Sequence, residues 1–109
     1  MSHELADRVS LELGRRAADR LRQQPALIEV ARQNLHRWSQ RNADVPSLLQ
    51  CYSEWRGILE RPLPEICELL VSDHEEGRRL RQNSPFAGLL SPREVWEVKR
   101  SFRHAQAAA

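Results

Sequence analysis

The stretch Arg79-Leu80-Arg81-Gln82-Asn83-Ser84-Pro85-Phe86-Ala87-Gly88-Leu89-Leu90-Ser91-Pro92-Arg93-Glu94 holds the punctuation from which the fold is read. Its end, Ser91-Pro92-Arg93-Glu94, is a helix start. The Ser91 hydroxyl can accept an orphan amide of the first turn, and Pro92 sits where a missing N–H costs nothing. Glu94 is placed to close a capping box on the Ser91 amide. Upstream, Pro85 disfavours helical backbone at Ser84 and so ends whatever helix precedes it. Between these signals lie Phe86, Leu89 and Leu90, apolar on a segment that cannot be helical throughout, with Gly88 permitting a tight or left-handed turn. The pattern is helix, apolar loop, helix.

Working outward, the same grammar repeats. The last helix carries Val95, Trp96, Val98 and Phe102. Before the loop, Asp73-His74-Glu75-Glu76 fits a capping box and opens a helix running to about Asn83. Pro64 starts a shorter helix with Ile66, Cys67, Leu70 and Val71 inward, ending near Ser72. Pro46-Ser47 starts another, with Leu48, Leu49, Tyr52, Trp55, Ile58 and Leu59 on one face, and Pro62 and Pro64 stop it. Pro25 opens a helix with the stripe Leu27, Ile28, Ala31, Leu35 and Trp38, and Asn42 stands where a left-handed cap is expected. Residues 2–23 form a helix with Leu5, Val9, Leu13, Ala17 and Leu21 every four residues, a stripe that weakens at Gly14-Arg15-Arg16. No segment alternates with period two. The expected fold is all-α, an irregular bundle of five or six short helices. Its expected organisation is an N-terminal helical arm over 1–24, a bundle over 25–104 and a disordered tail over 105–109.

The 109 residues suit one domain with a modest core, and 40% hydrophobic with 29% charged residues is not the balance of a disordered chain. The net charge of +2 is unevenly placed. Glu60 to Glu76 holds six acids against one base, a net −5, and Arg78 to His104 holds seven bases against two acids, a net +5. That step reads either as two solvated helix faces or as an acidic face beside a basic one. With no signal-like start and no long apolar run, the expected location is cytoplasmic, without membrane insertion. Two cysteines, Cys51 and Cys67, are then expected as free thiols.

Catalytic and metal chemistry find little support. His3, His36, His74, His104, Cys51 and Cys67 show none of the usual ligand spacings, so neither a metal nor another cofactor is expected. Cys51 sits between Leu49 and Tyr52 in a helical stretch and reads as core. No phosphate-cradling glycine loop or Gly-x-Ser-x-Gly turn occurs, and the expected protein is not an enzyme. Of Trp38, Trp55 and Trp96, two read as core and one as partly exposed at a partner site. Helices around 65–70 and 77–83 fit a helix-turn-helix in which Arg78, Arg79, Arg81, Gln82 and Asn83 would read DNA, although Asp73, Glu75 and Glu76 at its second helix would repel phosphates. The 86–90 loop reads in two ways: Phe86 and Leu89 plug the core, or the loop is a preformed contact surface rimmed by Arg79, Arg81 and Arg93.

The segments Ala31-Arg32-Gln33-Asn34-Leu35-x-Arg37-Trp38, Glu54-Trp55-x-x-Ile58-Leu59 and Leu80 to Glu94 followed by Trp96 together resemble short helical bacterial proteins on the antitoxin side of toxin–antitoxin modules, those whose toxin is nucleotidyltransferase-like. The resemblance spans residues 27–104, with Ser84-Pro85-Phe86-Ala87-Gly88 its most specific part, and leaves residues 1–24 outside. It implies a protein partner and neutralisation by masking the partner's active site. Arg79, Arg81, Phe86, Leu89, Arg93 and Trp96 are the expected partner-binding residues. An autoregulatory DNA binder is the alternative, and homo-oligomerisation through a Trp or Leu stripe is a third option.

Overall fold

The computed structural model describes residues 3–108, with side-chain surroundings over 4–105. It is all-helical among these residues: α1 (His3–Gln23), a 3-10 turn (Pro25–Leu27), α2 (Ile28–Arg41), α3 (Pro46–Ile58), α4 (Leu63–Leu70), α5 (Glu75–Arg81) and α6 (Pro92–Ala108). Prolines stand in the first turn of the 3-10 segment, α3 and α4, as their fixed φ and missing N–H favour.

The expected N-terminal arm is part of the core. Ala18 and Leu21 of α1 are fully buried in one cluster with Ala31, Leu35, Trp55, Ile66 and Leu70. α1 lies along α4, and Gly14 is the reason it can come so close. A Cβ at that position would stand 2.1 Å from the Leu70 carbonyl oxygen. The weak point in the apolar stripe is therefore a crossing point, where a missing side chain lets two backbones touch. At the other end, the expected disordered tail is helical through Ala108, and residue 109 lies outside the described residues.

α2 and α3 pack as a helical hairpin. Trp38 and Tyr52 meet with ring centroids 5.9 Å apart, and Asn42 Nδ2 donates to the Tyr52 hydroxyl at 3.0 Å. Asn42 holds φ −110° and takes no left-handed cap; its side chain serves the hairpin instead. Trp55 of α3 is the centre of the molecule. It is fully buried, its Nε1 donates to the Leu80 carbonyl at 3.0 Å, and Phe86 meets it edge-on at 5.9 Å and 83°. This satisfies the indole N–H and uses the edge-to-face geometry that aromatic quadrupoles favour.

Two further capping expectations need correction. Asp73 does not cap α5, which begins at Glu75 behind His74. The Asp73 carboxylate instead accepts from Arg78 at 3.1 Å. Ser91 does cap α6, its Oγ accepting the Glu94 amide at 3.1 Å. Glu94, however, turns away from the cap to bind α1, pairing with Arg20 at 2.7 Å and Arg16 at 3.3 Å. Two guanidiniums within reach offer the carboxylate a stronger, charge-assisted contact than one backbone N–H.

Candidate partner-binding site

The six residues expected to bind a partner fall in three different surroundings. Phe86 and Leu89 are 4% and 8% exposed and belong to the core, so of the two readings of the loop the packed one describes this structure. The Phe86–Leu89 turn closes with the Leu89 amide on the Phe86 carbonyl at 3.2 Å, and Gly88 supplies the positive φ of 95° that such a turn demands. Asn34, buried on α2, holds the loop from beneath. Its Nδ2 donates to the Pro85 and Ala87 carbonyls, each at 2.9 Å. Arg37 in turn donates to Asn34 Oδ1, which fixes the amide so that its donors face the loop. Arg20 adds a bond to the Leu89 carbonyl at 2.8 Å.

Arg79 lies on the surface, held by acids of its own chain. It forks onto both oxygens of Glu54, at 3.3 and 2.7 Å, and reaches Glu76 at 2.7 Å. The Arg79 hydrogen bond holds the Glu54 carboxyl below its usual range. Arg81 is buried at 8% exposure. Its Nε donates to Ser10 Oγ at 3.1 Å, and its Nη1 to the carbonyls of Leu70, at 3.5 Å, and Ser72. These placements also bear on the helix-turn-helix. Of its five expected DNA readers, Arg81 is inside the fold, Arg79 is bound to carboxylates and Arg78 is paired with Asp73.

Arg93 and Trp96 occupy the outer face of α6. Trp96 is 56% exposed, the large hydrophobic side chain most out of place by burial among the described residues. Arg100 lies over its ring, 5.2 Å from the centroid, one turn along at the i,i+4 spacing where helix neighbours meet. Arg93 is exposed and pairs with Glu97 at 3.2 Å. Arg103 and Lys99 extend the exposed, basic side of the helix, while Val98 is buried and Phe102 half-buried on the side toward α1. Arg100, absent from the sequence expectation, was detectable as the i+4 neighbour of Trp96.

Other chemistry is sparse. No group of three or more His, Cys, Asp or Glu side chains is placed to hold a metal ion among the described residues. Cys51 is half-buried and Cys67 buried, both as free thiols, and burial pushes the Cys67 thiol up. Among the described residues no helix is long and apolar enough to cross a membrane. The chain matches no protein-family model, no curated protein and no solved structure.

Proposed function

We propose that this protein is a non-catalytic binding module that docks the outer face of α6 onto an acidic protein surface, and that the partner is a toxin whose active site it covers. The exposed Trp96, flanked by Arg93 and Arg100, carries the reading. Trp and Arg are the residue types most often found as interface anchors, because each buries a large rigid surface while keeping a polar handle. A tryptophan this exposed leaves apolar area in water that a partner would remove. The surrounding cations call for carboxylates opposite, as in the metal-binding cleft of a nucleotidyltransferase-like toxin, the partner class implied by the antitoxin resemblance.

The test is co-expression with a candidate toxin of that class. The wild-type chain is expected to co-purify with the toxin and restore growth. Trp96→Ala, which touches little of the core, is expected to weaken binding by about 30-fold, the size of a ~2 kcal/mol anchor. Failure to co-purify, or full protection by an Arg93→Ala, Trp96→Ala, Arg100→Ala variant, would overturn the reading. Light scattering of the isolated protein separates this from self-association through Trp96. DNA binding is the second reading, favoured by the exposed Lys99, Arg100 and Arg103 on one helix. It predicts affinity for the chain's own promoter that falls steeply between low and moderate salt.

A further inference from the structure

A cavity of about 530 Å3 opens between α1, α5, the 84–90 loop and α6, a size typical of small-molecule sites. Val9, Leu13, Phe86, Leu90 and Val95 give it apolar walls. The charged residues on its lining are Arg78, Arg81 and Lys99 against Asp7, a formal net charge of +2. Arg78 and Lys99 are exposed at the rim, and Arg78 also pairs with Asp73.

Arg81 is the member that fold stability alone does not explain. It is more than nine-tenths buried, and the three acceptors it meets, one hydroxyl and two carbonyls, are all neutral. Its other amino group, Nη2, is shielded from solvent and has no acceptor among the described residues. Asp73 and Asp7 act on it only through space, and burial pulls the guanidinium below its ordinary value. A buried cation without an anion in contact carries a large desolvation cost that hydrogen bonds to neutral groups offset only in part. Placed beside an apolar cavity, it marks where a counter-charge belongs.

We propose that this cavity binds a small amphiphilic monocarboxylate, with the carboxylate on the Arg81 guanidinium and the hydrocarbon chain against Val9, Leu13, Phe86, Leu90 and Val95. One monoanion balances the one buried cation, and a carboxylate oxygen supplies the acceptor that Nη2 alone of the guanidinium nitrogens lacks, once entry of the ligand uncovers it. The walls reward a chain and give a bare anion little to hold. The site shares Lys99 with the basic side of α6 but includes none of Arg93, Trp96 and Arg100, so its failure would leave that reading standing.

The probe is sodium decanoate below its micelle concentration, titrated into the full chain by calorimetry and by amide and guanidinium NMR. Saturable one-to-one binding is expected, with the largest shifts at the Arg81 Nε–H and the Gly88 amide. Acetate (head alone) and decanol (tail alone) are each expected to bind at least ~10-fold more weakly, a step of about 1.4 kcal/mol. Arg81→Met is expected to lose decanoate binding by a similar factor. If that variant does not fold, the wild-type shift map and the head-and-tail comparison still decide. The proposal is overturned if decanoate does not bind, if decanol binds as tightly, if the shifted amides lie away from the cavity, or if a folded Arg81→Met binds as the wild type does.

Discussion

Gly14→Ala reports directly on whether α1 is a structural member of the bundle, because two opposing effects give opposite signs. In an exposed helix the change stabilises by about 1 kcal/mol, since alanine has less backbone freedom to lose than glycine. Here the new Cβ would stand 2.1 Å from the Leu70 carbonyl oxygen, where ordinary contact begins near 3.4 Å. The obstacle is backbone, so α1 and α4 must part by more than 1 Å at their crossing. Ala17, Ala18 and Leu21 on one side and Ile66, Cys67 and Leu70 on the other are all buried in that seam. A gap of ~0.5–1 Å already forfeits a quarter to a half of each dispersion contact. Overpacking of this kind costs about 1–3 kcal/mol, more against rigid backbone, and after the propensity gain a net loss of ~2 kcal/mol is expected. Thermal unfolding followed by circular dichroism should show the midpoint fall by roughly 8 °C or more. Gly57→Ala is the internal control: its Cβ would meet nothing within 4 Å, and it should stabilise by up to ~1 kcal/mol. If Gly14→Ala also stabilises, α1 does not pack on α4 as described and the integrated core is refuted.

Three further outcomes are expected. Glu94→Gln should cost about 1 kcal/mol at neutral pH, since it loses charge-assisted contacts with the half-exposed Arg20 and Arg16. Those contacts hold the Glu94 carboxyl below its usual range, so its stabilisation is present above the unfolded carboxylate value near ~4.3 and fades as pH falls through the lower folded value. Urea midpoints of wild type and variant should therefore converge in acid. Asn34→Leu should destabilise by ~1–3 kcal/mol, because it orphans the Pro85 and Ala87 carbonyls, and hydrogen exchange at 86–90 should accelerate. Alkylation under native conditions should label Cys51 well before Cys67, whose buried thiol is pushed up and so forms little thiolate; equal rates by mass spectrometry would contradict that burial.

What the sequence makes legible is whatever is encoded within a few residues. Proline starts, the Ser91 cap and the stripes of α2, α3 and α4 are local signals, and they place the helices to within two or three residues, the largest gap being at Pro25, which opens a 3-10 turn before α2 begins at Ile28. Gly14 misled because a glycine in an apolar stripe looks like a defect until the neighbouring helix is known. Glu94 fits a capping box locally and is drawn out of it by Arg16 and Arg20, more than seventy residues away. The binding residues suffered the same way. Arg81 looks like a surface cation in a run of arginines, yet a half-turn of helix carries it inside, beside Ser10 and Leu70. Trp96 is the contrary case: expected at a partner surface, it is exposed because Val98 and Phe102 take the inward side of α6.

The Glu94 clamp also has a temporal meaning. Arg20 leaves the ribosome 74 residues before its carboxylate partner, an interval of roughly 4–15 s at ordinary elongation rates. For roughly the first two thirds of that time α1 presents Ala18 and Leu21 without α4, which is complete only at Leu70, and α6 follows later still. The ion pair to α6 is thus a late contact of α1, and one flank of that amphipathic helix waits for a segment made long after it.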